Sequence, residues 1–458
     1  MASKMHVMIV GAGIGGLMLA NLLEKACISY QMFEKNKELR PLGSAIALTS
    51  VSHIFEQLDM YDEIVAASKD FGALHLVDED LQHRNTFNAR LPGVDVKELY
   101  GDYTQVIARF DLIRILMSRI PPHKILYNKR VLTTKHEDDE IVIHCHDNST
   151  YGGTILVGAD GAYSSVRQNM YKDMAALGIL PKVDAKPLGY DYDCLVGVTK
   201  PLDPEKYPVL KEEFCEFQVI LGKNIPFSWW FIPLANNCIG WQVAEDVRKN
   251  GTAADRNFAF SAWDPDSAKN MCDKVRHLSC PYGGTLGDIL DETPKEVISK
   301  VMLEDKYFTT WYHRRTVLLG DACHKMLSFG GQGATMSIQS AVLLANLLFD
   351  IEDTSEKEVT RVFNEYYDAR SGPGKVAVKS SHETGTLMHM RGPTGQILRH
   401  VGFNWTPKWA MKKSMDMYNK HKVQVSYLPF VKIRGTFVSQ VNAPSRRMVE
   451  GSNIPMAI

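Results

Sequence analysis

An α/β fold that carries an additional antiparallel sheet is predicted by three features of the 458-residue sequence. First, an apolar run at 5–10 ends in glycines, a helical pattern covers Ile14–Lys25, and Tyr30–Phe33 has the pattern of a second strand. This strand–helix–strand opening implies a parallel sheet. Second, strand-like runs follow one another between 185 and 300 without helices between them, as in an antiparallel sheet. Third, the chain from about 355 onward has helical patterning.

The same patterns predict how the chain is divided. The first domain is expected at 1–184 and again at 301–354, the inserted sheet domain at 185–300 with a polar, helical, lid-like stretch at 245–300, and a helical region at 355–458. Helices of the first domain are predicted at Val51–Leu58 and Leu112–Ile120, and strands at Lys124–Leu132, Glu140–Cys145, Thr154–Val157 and Thr316–Leu319. Strands of the inserted sheet are predicted at Cys194–Val198, Phe214–Leu221, Ser228–Pro233 and Cys238–Val243.

The composition argues against several classes of protein. Lys and Arg number 52 and Asp and Glu number 53, so the net charge of −1 offers no footprint for nucleic acid and no overall bias towards an anionic membrane. The eight cysteines lack C-x-x-C spacing, which favours reduced thiols over disulfides or zinc ligands. His144-Cys145-His146 lies in an alternating strand pattern, so no metal site is expected.

The longest uncharged stretch, Met326–Phe349, contains glycines and several Ser and Gln side chains. That composition favours a loop followed by a buried helix over a membrane span. The first apolar run is too short for a signal peptide. A cytoplasmic protein without a transmembrane segment is therefore expected, and its oligomeric state is left open.

A glycine motif, Gly11-Ala12-Gly13-Ile14-Gly15-Gly16, follows the first strand and opens the first helix. Gly11 allows a tight turn, Gly13 lets the backbone approach a pyrophosphate, and Gly16 lets the helix pack on the sheet. The helix N-terminus offers unpaired N–H groups and a positive dipole end to phosphates. Glu34, after the second strand, can accept hydrogen bonds from both ribose hydroxyls and would repel a 2′-phosphate. The motif therefore predicts bound FAD or NAD rather than NADP.

Two more motifs follow along the chain. Asp160-Gly161-Ala162-Tyr163-Ser164-Ser165-Val166-Arg167 has the form D-G-x-x-S-x-V-R. Val317–Leu319 leads into Gly320-Asp321 and then into Gly330-Gly331-Gln332-Gly333-Ala334. With these three motifs in this order, the chain resembles the FAD-dependent aromatic hydroxylase-type monooxygenases, which include salicylate hydroxylases and zeaxanthin-type epoxidases. Within that family it is most similar to fungal members that oxidise terpenoid and indole-alkaloid intermediates.

The resemblance implies a Rossmann-type FAD-binding domain with particular contacts to the cofactor. Asp321 is expected to accept hydrogen bonds from the ribityl hydroxyls. Backbone N–H groups at Gly333 and Ala334, at a helix start, are expected to stabilise negative charge on the reduced flavin. The implied reaction uses NAD(P)H and O₂ to hydroxylate or epoxidise an apolar molecule through a C4a-hydroperoxyflavin.

Three further residues are placed by the same resemblance. Arg109 is expected to touch the flavin nucleotide, unless it only pairs with Asp111 at a helix start. Asp160 is expected to face the pyrophosphate, with a helix cap as its alternative role. Ala47, within the segment 41–48, would let the backbone lie against the flavin, where a large side chain would block it.

The substrate is expected on the inserted sheet. Phe227, Trp229, Trp230, Phe231 and Trp241 form a dense aromatic group there. Trp229 is predicted as a wall of an apolar cavity, with sheet packing as the alternative interpretation. Asp193 stands where related fungal enzymes carry an arginine, and it is a candidate to orient a polar group or protonate a product.

Two other functions use the same scaffold. One is a flavin-dependent reductase that saturates double bonds of an isoprenoid-like substrate. The other is a flavin-bearing interaction protein without catalysis, which should carry an added partner-binding module. The sequence does not separate NADH from NADPH, and it does not identify the substrate.

Overall fold

The computed structural model describes residues 5–88, 95–248, 265–405 and 408–450. Its strands are, in chain order, β1 (His6–Val10), β2 (Ser29–Phe33), β3 (Ala45–Leu48), β4 (Ser68–Asp78), β5 (His83–Asn88), β6 (Gln105–Ala108), β7 (Ile125–Leu126), β8 (Val131–Glu137), β9 (Glu140–Cys145), β10 (Thr150–Gly153), β11 (Ile155–Gly158), β12 (Tyr190–Val198), β13 (Cys215–Leu221), β14 (Phe227–Pro233), β15 (Ile239–Asp246), β16 (Ser299–Glu304), β17 (Lys306–Tyr307), β18 (Tyr312–His313), β19 (Thr316–Leu318) and β20 (His324–Lys325). Its α-helices are α1 (Ile14–Lys25), α2 (Ser52–Gln57), α3 (Tyr61–Ala66), α4 (Val96–Tyr100), α5 (Arg109–Ser118), α6 (Ser165–Ala176), α7 (Pro265–Val275), α8 (Leu286–Asp291), α9 (Gly333–Phe349), α10 (Glu356–Met388), α11 (Gly392–Asn404), α12 (Lys408–Asn419) and α13 (Arg446–Glu450).

The first sheet is the parallel sheet that the opening residues predict. Its six strands run in the order β18-β19-β11-β1-β2-β7, and all neighbours are parallel except β18 and β19. The last four residues of β1 are buried, as expected for a strand covered on both faces. Helix α1 has the predicted bounds and packs against α9. The carboxyl ends of β1, β11 and β19 therefore lie side by side at one edge of the sheet.

The second sheet has nine strands, in the order β16-β12-β15-β14-β13-β4-β6-β3, with β5 paired to β4. β13 and β4 are parallel, and the other neighbours are antiparallel. The predicted α/β fold with a second, largely antiparallel sheet is thereby confirmed. Strands β3 to β6 come from residues 45–108, so the sheet also draws on chain outside 185–300. The division into domains at 185 and 300 stays a prediction.

Alternation along its strands gives the second sheet two different faces. One face, here called the helix-covered face, packs against α7 and α8 and includes Trp229, Phe231, Trp241 and Val243. The opposite face, here called the loop face, lies towards residues 327–329 and includes Tyr192, Cys194, Trp230 and Gln242. A third, three-stranded sheet has the order β10-β9-β8, and β17 pairs with β20.

The C-terminal region contains helices α10 to α13, but residues 420–445, between α12 and α13, form no helix. A helical region over the whole of 355–458 stays a prediction. Helix α10 has 33 residues and carries its last residue, Met388, into the apolar cluster under the loop face. A loop was expected near Gly392–Gly395, but the break lies at 389–391 and α11 already begins at Gly392. Pro393 stands in its first turn, where a missing N–H costs no helical hydrogen bond. Among the helices that the structure describes, none is both long and apolar enough to cross a bilayer.

Candidate active site

The glycine loop between β1 and α1 is held by two close backbone contacts. Gly11 has a φ of +105°, and a Cβ there would lie 2.4 Å from the carbonyl oxygen of Ala159. A Cβ on Gly16 would lie 2.1 Å from the carbonyl oxygen of Gly11. Only glycine fits both positions. Gly13 differs, because a Cβ there would meet nothing within 4 Å, so the loop leaves open space in front of α1.

Glu34 fixes this loop from the end of β2. It is 6% exposed, and its Oε2 accepts a hydrogen bond from the backbone N–H of Ala12 at 2.9 Å. Its Oε1 accepts from the backbone N–H of Asn36 at 2.9 Å and from the side-chain amide of Asn36 at 2.7 Å. Carboxylate oxygens have more than one acceptor site each. The same carboxylate can therefore hold the loop and still accept from a ligand hydroxyl.

Asp160 follows β11 and is only partly satisfied. Its Oδ2 accepts from the Ser165 hydroxyl at 3.0 Å and from the Val166 N–H at 3.2 Å, which supports the start of α6. Its Oδ1 is buried and has no hydrogen-bond partner within the described residues. An unpaired buried carboxylate oxygen is costly unless a ligand or water donates to it. A Cβ on neighbouring Gly161 would meet nothing within 4 Å, so there is room for such a ligand.

A cluster of charges lies where β19 ends. Lys325 Nζ donates to Asp321 Oδ2 at 3.0 Å. Burial lowers the pKa of the Arg109 guanidinium from its ordinary value, and the charge of Asp321 opposes that change. Asp111, the alternative partner of Arg109, instead accepts from Arg114 at 3.3 Å. The structure therefore brings Arg109 towards Asp321, at the same edge as the glycine loop.

The start of α9 lies beside β3. Gly331 has a φ of +63°, and a Cβ there would come within 3.9 Å of the Ala47 Cβ. A Cβ on Gly333 would meet nothing within 4 Å. Helix α9 begins at Gly333 and Ala334 without a side-chain cap, so N–H groups of its first turn remain for a ligand. A small residue at Ala47 keeps this approach open.

These features meet at the carboxyl edge of the parallel sheet. The predicted cofactor residues that the structure brings to this edge are Gly11, Gly13, Gly16, Glu34, Ala47, Arg109, Asp160, Asp321, Gly333 and Ala334. The site offers the uncapped N-termini of α1 and α9, open space beside Gly13, Gly161 and Gly333, and the unpartnered Oδ1 of Asp160. These features match a dinucleotide joined by a pyrophosphate. FAD therefore fits this site, while the role of each residue stays a prediction.

An aromatic cluster lies next to the α9 loop on the loop face. The ring of Phe329 is 5.2 Å from that of Tyr192, 5.8 Å from that of Trp230 and 5.2 Å from that of His389, between centroids. We call these four residues the aromatic cluster. Sequence reasoning did not single out Phe329 or His389, because a lone Phe in a loop and a lone His after a long helix carry no pattern.

His389 is held at both ring nitrogens. Its Nδ1 lies 2.9 Å from the carbonyl oxygen of Gly385, which can only accept, so Nδ1 carries the proton. Its Nε2 lies 2.9 Å from the Ser228 hydroxyl and accepts from it. Burial lowers the pKa of His389 to about 4. The imidazole is therefore neutral near pH 7 and contributes a polar but uncharged side to the aromatic cluster.

The two residues proposed for catalysis lie elsewhere. Trp229 is 1% exposed on the helix-covered face and donates from Nε1 to the carbonyl oxygen of Ser279 at 2.8 Å. Asp193 alternates with Cys194 along β12 and forms an ion pair with Lys300 at 2.9 Å. Neither side chain is brought together with the α9 loop. This placement favours packing for Trp229, and Trp230 is the tryptophan of β14 that lies beside Phe329.

Acid is expected to destabilise the fold through its buried histidines. Burial lowers the pKa of His53, His324 and His389 to about 4, against an ordinary value of 6.5. Between pH 6.5 and 4 the unfolded chain binds protons that the folded chain does not, so the free energy of unfolding falls as the pH falls. Over this pH range each of these histidines lowers the free energy of unfolding by up to about 3 kcal/mol.

Urea unfolding at several pH values measures this loss. His389→Gln should make the dependence on pH shallower in that window. Replacing the exposed His123 by Gln is the control and should leave the dependence unchanged. Identical pH profiles for the His389 variant and the unmodified protein would contradict the lowered pKa of His389.

Comparison with known proteins gives the class of this site. Residues 4–181 and 286–378 match the family model described as "FAD binding domain". The FAD-dependent monooxygenase ausM of Penicillium brasilianum is 27% identical over 475 residues, covering 99% of this chain and 94% of the relative. The FAD-dependent monooxygenase ptmM of Penicillium ochrochloron is 28% identical over 386 residues, covering 80% of this chain and 85% of the relative.

Solved structures share the fold. HpxO of Klebsiella pneumoniae, complexed with FAD and uric acid, superposes with a TM-score of 0.71 at 17% identity, over 92% of this chain and 97% of that one. A salicylate hydroxylase substrate complex gives 0.64 at 18% identity, over 91% and 97%. The chain belongs to the FAD binding domain family, and the predicted class of FAD-dependent monooxygenase is confirmed. Of the three functions considered from the sequence, the relatives support this one.

Proposed function

We propose that this monooxygenase hydroxylates or epoxidises an apolar aromatic, terpenoid or alkaloid molecule, which binds between the aromatic cluster and the start of α9. One observation carries the proposal: the aromatic cluster contacts the loop that leads into the open N-terminus of α9 through Phe329. Apolar walls beside a helix start are suited to hold an apolar substrate near a redox cofactor and to keep water away. The fungal relatives named above support a substrate of secondary metabolism.

Each group of residues at this site has its own proposed role. Bound FAD supplies the redox chemistry, taking electrons from NAD(P)H and passing them to O₂. We assign Glu34 to the ribose hydroxyls and the Asp160 Oδ1 to a donor near the pyrophosphate. The N–H groups of Gly333 and Ala334 would stabilise negative charge on the reduced flavin, Asp321 would accept from its ribityl hydroxyls, and Arg109 would contact the flavin nucleotide. The aromatic cluster orients the substrate, with no charged side chain among its four members.

Oxygen labelling tests the reaction. One oxygen atom of O₂ enters the product, the other leaves as water, and NAD(P)H supplies two electrons. Under ¹⁸O₂, a substrate that accelerates NAD(P)H oxidation should yield a product that gains one ¹⁸O. A product that gains no ¹⁸O but two hydrogens would instead identify a reductase, and NAD(P)H oxidation that no apolar compound accelerates would contradict the proposed substrate class.

Glu34→Ala is expected to weaken FAD retention. The change removes a charge-assisted bond to the ribose, worth roughly 1.5–3 kcal/mol, or about 10- to 100-fold in Kd. Flavin absorbance per protein after gel filtration of dilute samples measures the loss. Because Glu34 also accepts from the N–H of Ala12, Glu34→Gln serves as the control that keeps an acceptor for the loop. Full flavin occupancy in the alanine variant would contradict the ribose assignment.

A further inference from the structure

Helix α11 presents an apolar stripe to solvent. The side chains that form it are Ile397, Leu398, Val401 and Trp405, which are 63, 53, 43 and 73% exposed. Positions 397, 401 and 405 are four residues apart, so they follow one side of the helix. We call these four residues the α11 stripe. Large apolar side chains aligned on one exposed helix face indicate an interaction surface rather than scattered surface residues.

The orientation of α11 is fixed from its other side. Arg399 is 6% exposed and donates to the carbonyl oxygens of Gly222 at 2.8 Å and Met388 at 3.3 Å. Phe403 packs edge-on against Phe87 of β5, with ring centroids 6.1 Å apart. Rotating the helix to bury the α11 stripe would expose the Arg399 contacts and break both of these hydrogen bonds. The apolar side therefore faces outward as the stable arrangement.

Charge and aromatic residues around the stripe indicate what covers it. Residues 391–413 contain five Lys or Arg and no Asp or Glu, although the whole chain is balanced. Arg399 is buried and Arg391 pairs with Asp246, so these two do not face a partner, whereas Lys412, which pairs with Asp416, is 49% exposed. Trp409 of α12 is 69% exposed, so two of the seven tryptophans of the chain, Trp405 and Trp409, are exposed to solvent in this segment. Lys413 is also exposed. Exposed tryptophan with basic side chains beside an apolar helix face is the composition that binds the interface of an anionic bilayer.

We propose that the α11 stripe and Trp409 dock on the surface of an anionic lipid bilayer. Helix α11 has 13 residues and is about 20 Å long, which is shorter than the hydrocarbon core, so it lies in the interface and does not cross it. The chain is then a peripheral membrane protein through one helix face. Attraction of the exposed Lys412 and Lys413 to anionic lipid adds to burial of the apolar side chains.

Apolar side chains beneath α11 connect the docking surface with the aromatic cluster, a step that rests on the proposed function. Phe403, on the inner side of the helix, belongs to the same apolar cluster as Phe87, Met388, Trp230 and Phe329. That cluster extends from α11 to the loop face of the second sheet. The docked helix and the proposed substrate position are therefore joined by one apolar cluster.

Vesicle co-sedimentation of the FAD-loaded enzyme tests the docking. We expect binding to vesicles of phosphatidylcholine that contain roughly one part in three of phosphatidylserine, weaker binding to phosphatidylcholine alone, and weakening by high salt. The triple variant Ile397→Ser/Val401→Ser/Trp405→Ala should lower the partition coefficient by about tenfold or more. Leu177→Ser/Ile179→Ser is the matched control, because these side chains are 65 and 52% exposed elsewhere and should not affect partition.

Flavin content and melting temperature verify that each variant is folded. The single change Trp405→Ser removes less apolar surface and should lower partition by a smaller factor. Failure of the unmodified enzyme to sediment with either vesicle would overturn the proposal. So would equal losses in the control variant. A dimer in light scattering that the triple variant converts to a monomer, without vesicle binding, would assign the surface to a second copy of the chain. None of these readouts depends on oxygenation, so the proposed reaction is tested separately.

Discussion

Replacing Gly13 by valine is expected to abolish FAD binding and to leave the apoprotein folded. Gly13 has φ −80° and ψ 179°, which any residue adopts, and a Cβ there meets no protein atom within 4 Å. The side chain would instead enter the space assigned to the pyrophosphate. The N-cap position tolerates the change at a cost of no more than about 1 kcal/mol. FAD affinity should fall by about 100-fold or more, equivalent to about 3 kcal/mol.

Gly16→Val is the matched control for this prediction. A Cβ there lies 2.1 Å from the carbonyl oxygen of Gly11, so the backbone of the loop must move. Both variants should lose FAD, but only the Gly16 variant should lose several kcal/mol of apoprotein stability. Flavin absorbance and thermal melting of FAD-free protein separate the two effects. A Gly13 variant that keeps its flavin, or two variants with the same lowered melting temperature, would contradict the model of the loop.

Features encoded within a few neighbouring residues could be predicted from the sequence. Helix α1 has the predicted bounds Ile14–Lys25, because apolar periodicity and glycine punctuation are local signals. The cofactor motifs also came together as expected, since each one follows a strand of a single parallel sheet. The carboxyl ends of such strands necessarily share one edge, so the order of the motifs was enough to place them.

Pairing between distant strands could not be predicted. β13 pairs in parallel with β4, at a separation of more than 130 residues, and nothing local to either strand marks the other as its partner. Alternation does predict that Trp229 and Trp230 face opposite sides of the sheet. It cannot tell which side receives the loop before α9, because that depends on where α9 and α10 pack. The sequence therefore located the aromatic strand but not the residue that lies beside Phe329.

Trp230→Ala is expected to uncouple NAD(P)H oxidation from oxygenation, and Trp229→Ala is not. Both side chains are buried, at 6 and 1% exposure, so both variants should lose stability, by about 3–5 kcal/mol. Trp229 additionally donates to the carbonyl oxygen of Ser279, and that acceptor is left unpaired in its variant. Stability alone therefore does not distinguish the two residues. Coupling does, because only Trp230 lies within 5.8 Å of Phe329, measured between ring centroids.

Hydrogen peroxide released per NAD(P)H consumed is the measurement, taken well below the melting temperature of each variant so that the protein is folded. Removing Trp230 opens the wall beside the substrate, admits water and lets the substrate leave its productive position, so the peroxide share should rise several-fold. Removing Trp229 opens space on the helix-covered face, on the far side of the sheet from Phe329, and the peroxide share should stay at the level of the unmodified enzyme. A rise for Trp229→Ala with none for Trp230→Ala would move the substrate to the helix-covered face. Equal rises would show that β14 acts as one rigid wall whose position, rather than either indole, controls access of water.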